Sequence, residues 1–273
     1  MLEINLLFMA AGMSSRFGGE PKILCKVGPK NESIFEMNIL QINKYISPKK
    51  IHLVCNEKTC DKILKEVKRV CDKYNMSTEI SHNIQASPDF RSKPWGTADA
   101  LASTSTYIDD EPFILLNSDD LYGEHTFELI STECDITKNY IVGFKLINTL
   151  MNGHKANRGF IILDNERNIN QITEKLNIER AYYSDDILSN QDVSVNLFIL
   201  QKDVVEKIAT MMESFKQNII EYDMAIEAML PNFINKLLTE KSIELELLMT
   251  NSKWCGVTFK EDIPMVKSIL LGN

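Results

Sequence analysis

The chain has 273 residues, a formal net charge of -8, and 44% hydrophobic and 25% charged residues. A chain of this length builds a large core without disulfides or a structural metal. The negative balance argues against nonspecific binding to nucleic acid or anionic lipid but leaves room for a local cationic pocket.

No run nears the roughly 18 apolar residues of a membrane span. The N-terminus lacks the basic and long apolar regions of a signal peptide. The six cysteines form no CxxC pair and have no histidine cluster beside them, so they read as reduced thiols of a cytoplasmic protein.

In chain order, Ile4 to Ala10 is an apolar run that predicts a buried strand, followed by a loop rich in glycine and serine. Ser33 to Tyr45 and Thr59 to Tyr74 read as amphipathic helices, with Ile51 to Cys55 a strand between them. Ser77 to Asn83 and Phe113 to Leu116 read as strands, with a helix over Ala98 to Ser105. This alternation predicts an α/β fold with a Rossmann-like, mixed but mostly parallel sheet and helices on both faces.

The second half predicts strands over Tyr140 to Lys145, Arg158 to Leu163, Val193 to Leu200 and Leu245 to Thr250. Helices are expected over Lys202 to Phe215, Tyr222 to Leu238 and Met265 to Leu271. The polar stretch Glu179 to Gln191 is expected to be the least ordered. With no repeat and no linker-like tract, residues 1–273 read as one domain, with a nucleotide-binding half of about 1–125 and an acceptor-binding half of about 126–273.

Three stretches carry chemistry. The first, AAGMSSRFGGEPK over residues 10–22, follows the first strand. Its small residues let backbone N–H groups approach an anion. Arg16 offers a planar fork for phosphate oxygens and Lys22 a compact positive charge. The loop is neither a GKS/GKT phosphate loop nor a GxGxxG fingerprint.

The second stretch, Pro94 to Ala100, reads as a turn into a helix capped by Thr97. In the third, an apolar strand runs into Asp119 and Asp120, where ligands of α/β sheets bind. Mg²⁺ prefers one or two carboxylates together with phosphate oxygens.

These stretches, in this order, resemble the nucleotidyltransferases that make NDP-sugars, whose loop has the form AAGxGxR…PK and whose later motifs read PLGTADA and NADDFYG. The resemblance implies a loop, Ala10, Ala11, Gly12, Met13, Ser14 and Ser15, that wraps an NTP, with Arg16 and Lys22 as catalytic cations. Ser14 stands where the family usually has a second glycine. Gln85, Gly96 and Thr97 fall at the nucleobase. Asp119 falls at the metal, Mg²⁺, and Asp120 in a supporting position on the acceptor side.

Ile172 to Lys175 resembles an EKP motif, which implies a sugar contact for Glu174 and an acceptor-phosphate contact for Lys175, although Leu176 replaces the proline. Gly159 and Asn196 fall at further acceptor positions. Gly256 occupies the place of the family's second metal-binding acid. Either Asp262 or Glu261 supplies that ligand, or Asp119 and the phosphates hold the metal alone.

The implied reaction passes a nucleoside monophosphate from an NTP to a sugar 1-phosphate, with release of pyrophosphate. Two alternatives stay open. One is CTP-dependent transfer to a non-sugar acceptor such as phosphocholine or a phosphonate. The other is a nucleotide-binding regulator without catalysis. The partners are an NTP and a phosphorylated small molecule; base, acceptor and oligomeric state are left open.

Overall fold

The computed structural model describes residues 1–14, 17–88, 90–91, 93–151, 153–218 and 226–271. Its strands are β1 (Leu2–Glu3), β2 (Asn5–Ala10), β3 (Ile46–Ser47), β4 (Lys50–Cys55), β5 (Glu79–Ile84), β6 (Phe113–Asn117), β7 (Asp120–Leu121), β8 (Tyr140–Lys145), β9 (Ala156–Leu163), β10 (Ile169–Ile178), β11 (Asp192–Leu200), β12 (Glu246–Thr250) and β13 (Cys255–Gly256). The helices are α1 (Ile34–Ile42), α2 (Cys60–Lys73), α3 (Thr97–Ala102), α4 (Glu124–Glu133), α5 (Asp185–Asn190), α6 (Lys202–Asn218), α7 (Leu230–Thr239) and α8 (Ile263–Leu270).

The central sheet runs β10-β9-β11-β6-β2-β4-β5, with β8 and β12 continuing from β11 on a second path. β6, β2, β4 and β5 are mutually parallel. β11 runs antiparallel to β6, β8 and β9. Every residue of β2 is buried. Leu6, Phe8 and Ala10 join the core on one face, and Leu7, Met9 and Ala11 join the core on the other. That is why the strand reads as an unbroken apolar run: helices cover both of its faces. β4 and β6 flank β2, so the chain turns to opposite sides of it. The crevice beyond the carboxyl ends of strands at such a point is where α/β folds hold ligands.

Besides the unexpected helix α4, the second half differs from expectation in three places. Glu179 to Gln191 is ordered: a short 3-10 turn over Arg180–Tyr182 leads into α5, whose N-cap Ser184 accepts from the Ile187 N–H at 3.3 Å. The Ser184-Asp185-Asp186 run is a cap with an acidic first turn, and its polarity marks a helix start.

The helix expected over Tyr222 to Leu238 begins at Leu230, with Pro231 in its first turn. Proline has no N–H to lose there and is disfavoured further inside. Residues 226–229 are not helical, and Tyr222 lies outside the described residues. Third, the polar run INQITEKLNI forms the edge strand β10, which hydrophobic periodicity does not announce. Among the described residues no helix is long and apolar enough to cross a membrane.

α1 carries Asn38, whose Nδ2 donates to the Asp120 carbonyl at 2.8 Å and steadies the turn after β6. Ser33 caps this helix, accepting from the Glu36 N–H at 3.1 Å. Ser33→Ala is expected to cost about 1 kcal/mol, measured as a lower urea midpoint with an unchanged slope.

α2 is clamped against α1 by Arg69, which bonds Glu66 and the buried Glu36. Arg69's hydrogen bonds hold the Glu66 carboxyl down to about 2, from an ordinary 4.5, against the opposing effect of burial. Because the folded value is depressed, this pair stabilises the fold above the unfolded value and is lost as pH falls from 4.5 towards 2. Glu66→Gln is therefore expected to shrink the loss of stability over that window, read from denaturation midpoints at stepped pH.

Candidate active site

A cleft of about 690 Å³ opens at the carboxyl ends of β2 and β6. Its first wall is the loop after β2: Ala10, Ala11, Gly12, Met13 and Ser14 all line it. Ser15 and Arg16 lie outside the described residues. Ser14 has φ of +47°, in the left-handed region. That geometry accounts for the glycine expected at this position, since glycine reaches it without the clash of a Cβ. Asn56, just after β4, holds the loop from below by donating to the Ala11 carbonyl at 3.2 Å.

Pro21 opens a single 3-10 turn over Lys22–Leu24, closed by Leu24 N–H to the Pro21 carbonyl at 3.0 Å. This turn aims Lys22 back across the cleft, where its Nζ lies 2.8 Å from Asp119 Oδ2. Both side chains are partly exposed, at 20% and 32%. The cation of the first loop and the acid after β6 thus meet in one place.

The second wall comes from β5 and the turn into α3. Gln85 is 5% exposed and lines the cleft. Its Nε2 donates to the Gly96 carbonyl at 3.0 Å and to Asp99 Oδ2 at 2.7 Å. Both amide hydrogens are therefore engaged, and the carbonyl oxygen is what Gln85 has left to offer a base.

Gly96 has φ of +112°, and a Cβ there would sit 2.7 Å from the Ala228 carbonyl oxygen. The missing side chain thus makes room for the segment before α7, and Gly96 itself lines the cleft. The helix cap expected at Thr97 is corrected. Gly96 is the N-cap residue, and Thr97 Oγ1 accepts from the Leu230 N–H at 2.9 Å. Glu227 and Met229 from that segment, and Lys93 opposite, complete this wall. Lys93 and Glu227 form an ion pair across it.

The floor is the end of β6: Asn117, Ser118 and Asp119. Asn196 reaches it from β11 through a bulge between Ser194 and Phe198, with φ of +63°. Asp120 does not line the cleft. It is buried behind Asn117, whose Nδ2 donates to Asp120 Oδ2 at 2.8 Å. Burial and the charge of Asp119 push the Asp120 carboxyl up to about 7, while the Asn117 bond and Arg158 oppose them.

Arg158 is itself buried and stacks on Trp254 with its guanidinium carbon 4.1 Å from the ring centre. Burial pulls it down to about 10 despite the nearby charges of Asp120 and Glu174.

The remaining residues expected at the acceptor lie further along the sheet. Gly159 faces Glu174 on one side and Ser194 on the other, and none of the three lines the cleft. Burial raises the Glu174 carboxyl, partly offset by Arg158. Lys175 pairs with Arg158 across the ladder, is exposed, and is not brought into the cleft. Successive strand residues point to opposite faces, so Glu174 and Lys175 leave β10 on opposite sides.

Asp262 is fully buried and turned elsewhere. Its Oδ2 accepts from the Thr258 and Phe259 N–H groups at 2.7 Å each, and its Oδ1 lies 3.2 Å from His154 Nδ1. Glu261 does not line the cleft either. At Gly256 a Cβ would meet the Trp254 ring at 2.6 Å and Asp120 Oδ1 at 2.7 Å, so no acid fits there. Among the described residues no three His, Cys, Asp or Glu side chains gather as a metal site. Asp119 alone fits a Mg²⁺ that takes its other ligands from phosphates.

Sequence reasoning missed Asn117, Lys93, Glu227, Met229 and Thr258 as cleft residues. The first two sit within or beside the recognised stretches. The other three carry no local signal.

Comparison with known proteins agrees with this geometry. The sequence pattern of the nucleotidyl transferase family matches residues 19–257. The bifunctional protein GlmU of Thermodesulfovibrio yellowstonii is 23% identical over 79% of this chain, which spans 41% of that protein's length. The inositol-1-phosphate CTP transferase of T. maritima superposes with a TM-score of 0.64 at 15% identity, covering 99% of this chain and 96% of its own. A UDP-glucose pyrophosphorylase complexed with UDP-glucose also gives 0.64, at 13% identity, covering 100% and 99%. The family pattern runs through Lys22, the wall of Gln85 and Gly96 and the Asp119 turn, and this chain belongs to the nucleotidyl transferase family of enzymes.

Proposed function

We propose that this protein transfers a nucleoside monophosphate from an NTP to a sugar 1-phosphate, giving an NDP-sugar and pyrophosphate. The observation that carries this reading is the 2.8 Å meeting of Lys22 and Asp119 in a cleft whose other wall presents Gln85. Solved proteins of the same fold are named for inositol 1-phosphate and for UDP-glucose, which supports a phosphorylated polyol or sugar as acceptor.

An acceptor phosphate oxygen attacks the α-phosphorus in line, and the bond to the pyrophosphate oxygen breaks. The nucleophile is already anionic, so no general base is required. Catalysis is then positioning and charge neutralisation. Lys22 balances charge on the α-phosphate and the leaving pyrophosphate, with Arg16 as the second cation of the loop. Gln85 receives the base, and Thr97 borders it. Asn196 lies on the acceptor side of the floor, with Glu174 and Gly159 beyond it. Lys175, exposed outside the cleft, is given no part in the step. Asp119 would hold Mg²⁺, which supplies further neutralisation of phosphate charge when bound.

The test is a matrix of each NTP against sugar 1-phosphates, phosphocholine and phosphonates with Mg²⁺, read by pyrophosphate release and product mass. Nucleotide binding without turnover anywhere in the matrix would sink the enzymatic reading and favour a regulator.

Lys22→Ala is expected to lower kcat by about 10²–10³-fold, the scale of losing one preorganised charge-stabilising group. Stability should fall by less than about 1 kcal/mol, because a half-exposed ion pair contributes little. Parallel losses in rate and melting temperature would remove Lys22 from the chemistry.

Gly256→Asp restores the family's second acid in sequence. It is nevertheless expected to destabilise the fold by about 1–3 kcal/mol through overpacking against Trp254 and Asp120. It should not tighten Mg²⁺ binding, as measured by calorimetry on the NTP-bound protein.

A further inference from the structure

Asn117 ends β6, lines the cleft, and has no place in the reaction described above. A primary amide carries two donor hydrogens and one acceptor oxygen. Asn117 Nδ2 is 2.8 Å from Asp120 Oδ2 and 3.2 Å from the Val195 carbonyl oxygen. The Val195 carbonyl can only accept, and Asp120 Oδ2 accepts beside it, so both hydrogens are engaged on the protein side. Turning the amide over would set its oxygen against the Val195 carbonyl oxygen, with that hydrogen bond lost. The orientation is therefore set by its surroundings. Among the described residues, Asn117 Oδ1 has no hydrogen-bond partner.

The two contacts also tie Asn117 to the acceptor half. Val195 lies within the β11 bulge, and the next residue, Asn196, lines the same cleft. Asp120 is 6% exposed, and its own carbonyl accepts from Asn38 at 2.8 Å, so it cannot move aside easily.

We propose that Asn117 is a specificity-determining residue for the acceptor. Its Oδ1 accepts a hydrogen bond from a hydroxyl of a polyhydroxylated phosphate, and the buried Asp120 is the positioning residue that holds the amide in that sense. This rests on the sugar 1-phosphate reading above and narrows it. An ionised phosphate brings no donor to a carbonyl oxygen, and a quaternary ammonium offers neither O–H nor N–H. A sugar or cyclic polyol brings several hydroxyls. β11 and its bulge lie on the side of β6 away from β2 and the phosphate loop, which places this contact with the acceptor and not with the nucleotide.

The experiment uses the full chain with the sugar 1-phosphate of highest kcat/KM, together with its monodeoxy and deoxyfluoro analogues. On the wild type, loss of one particular hydroxyl lowers kcat/KM about tenfold, the scale of one hydrogen bond. Fluorine at that position loses as much, because it cannot donate. On Asn117→Ala the same deoxy analogue matches the parent. The acceptor KM rises while the NTP KM is unchanged, a split that a merely structural role would not give.

If Asn117→Ala does not fold, Asn117→Ser and the wild-type deoxy and fluoro series decide the matter. The proposal is overturned if every deoxy analogue loses as much on the variant as on the wild type, if fluorine substitutes fully, or if the effect follows a 2′- or 3′-deoxy NTP instead. A wild type without turnover would sink the proposed reaction. The same analogues are then compared by calorimetry. A tenfold weaker Kd for one deoxy form upholds the Asn117 contact, and equal or undetectable binding across the series overturns it.

Discussion

The 2.8 Å contact between Lys22 and Asp119 joins two parts of the chain that are 97 residues apart, and the cleft takes its polarity from it. An ion pair this exposed adds at most about 1 kcal/mol to stability, so its value lies elsewhere. It keeps two opposite charges aimed at one point before any ligand arrives. In the proposed reaction an entering triphosphate would take over the lysine and Mg²⁺ the aspartate, so that binding would exchange partners and leave no charge stranded. That exchange requires Lys22 to sit in a turn of fixed geometry, which Pro21 and the 3-10 turn provide. It also requires Asp119 in the turn just beyond β6, a strand buried on both faces.

The polar groups around this pair show the same economy of movement. Gln85 and Asn117 each have both amide hydrogens tied to acceptors behind them, Asp99 with the Gly96 carbonyl and Asp120 with the Val195 carbonyl. Each therefore presents a carbonyl oxygen to the cleft in a sense that a ligand need not induce. Holding the donors in advance removes the reorganisation that a freely rotating amide would undergo on binding. The two buried aspartates thus act one layer back from the site, with Lys216 paired to Asp99 and the charge of Arg158 close to Asp120.

Much of the first half was legible because its physics is local. The apolar run of β2, the small residues after it and the acids after β6 each announce themselves within a few positions, and the cleft forms where the topology of a parallel sheet puts it. What was not legible is what the chain does at long range. Gly96 lines the cleft, but a second reason for a glycine there, the backbone of Ala228 against its Cβ position, comes from 132 positions later in a segment with no motif. Glu174 and Lys175 looked like a pair until β10 proved to be an extended edge strand, in which neighbours face opposite ways. Asn117 stood inside a recognised stretch, but its importance depends on a bulge in β11 that no periodicity reveals.

The region around Gly256 shows why the acceptor half departs from the family pattern. β13 pairs with β7 so that Gly256 lies directly opposite Asp120, and Trp254 folds over the same spot with Arg158 stacked on it. An acid added there would bring a third carboxylate beside Asp119 and Asp120, in a volume already filled by an indole ring and a guanidinium. Arg158 instead brings positive charge to the buried side of the turn, at a burial penalty visible in its depressed pKa of about 10. With a cation built into the scaffold and Asp119 the acid that faces the cleft at the end of β6, the proposed reaction would ask more of the lysine of the first loop in holding a triphosphate. On that reading, the glycine at 256 and the direct Lys22–Asp119 contact are two sides of one arrangement.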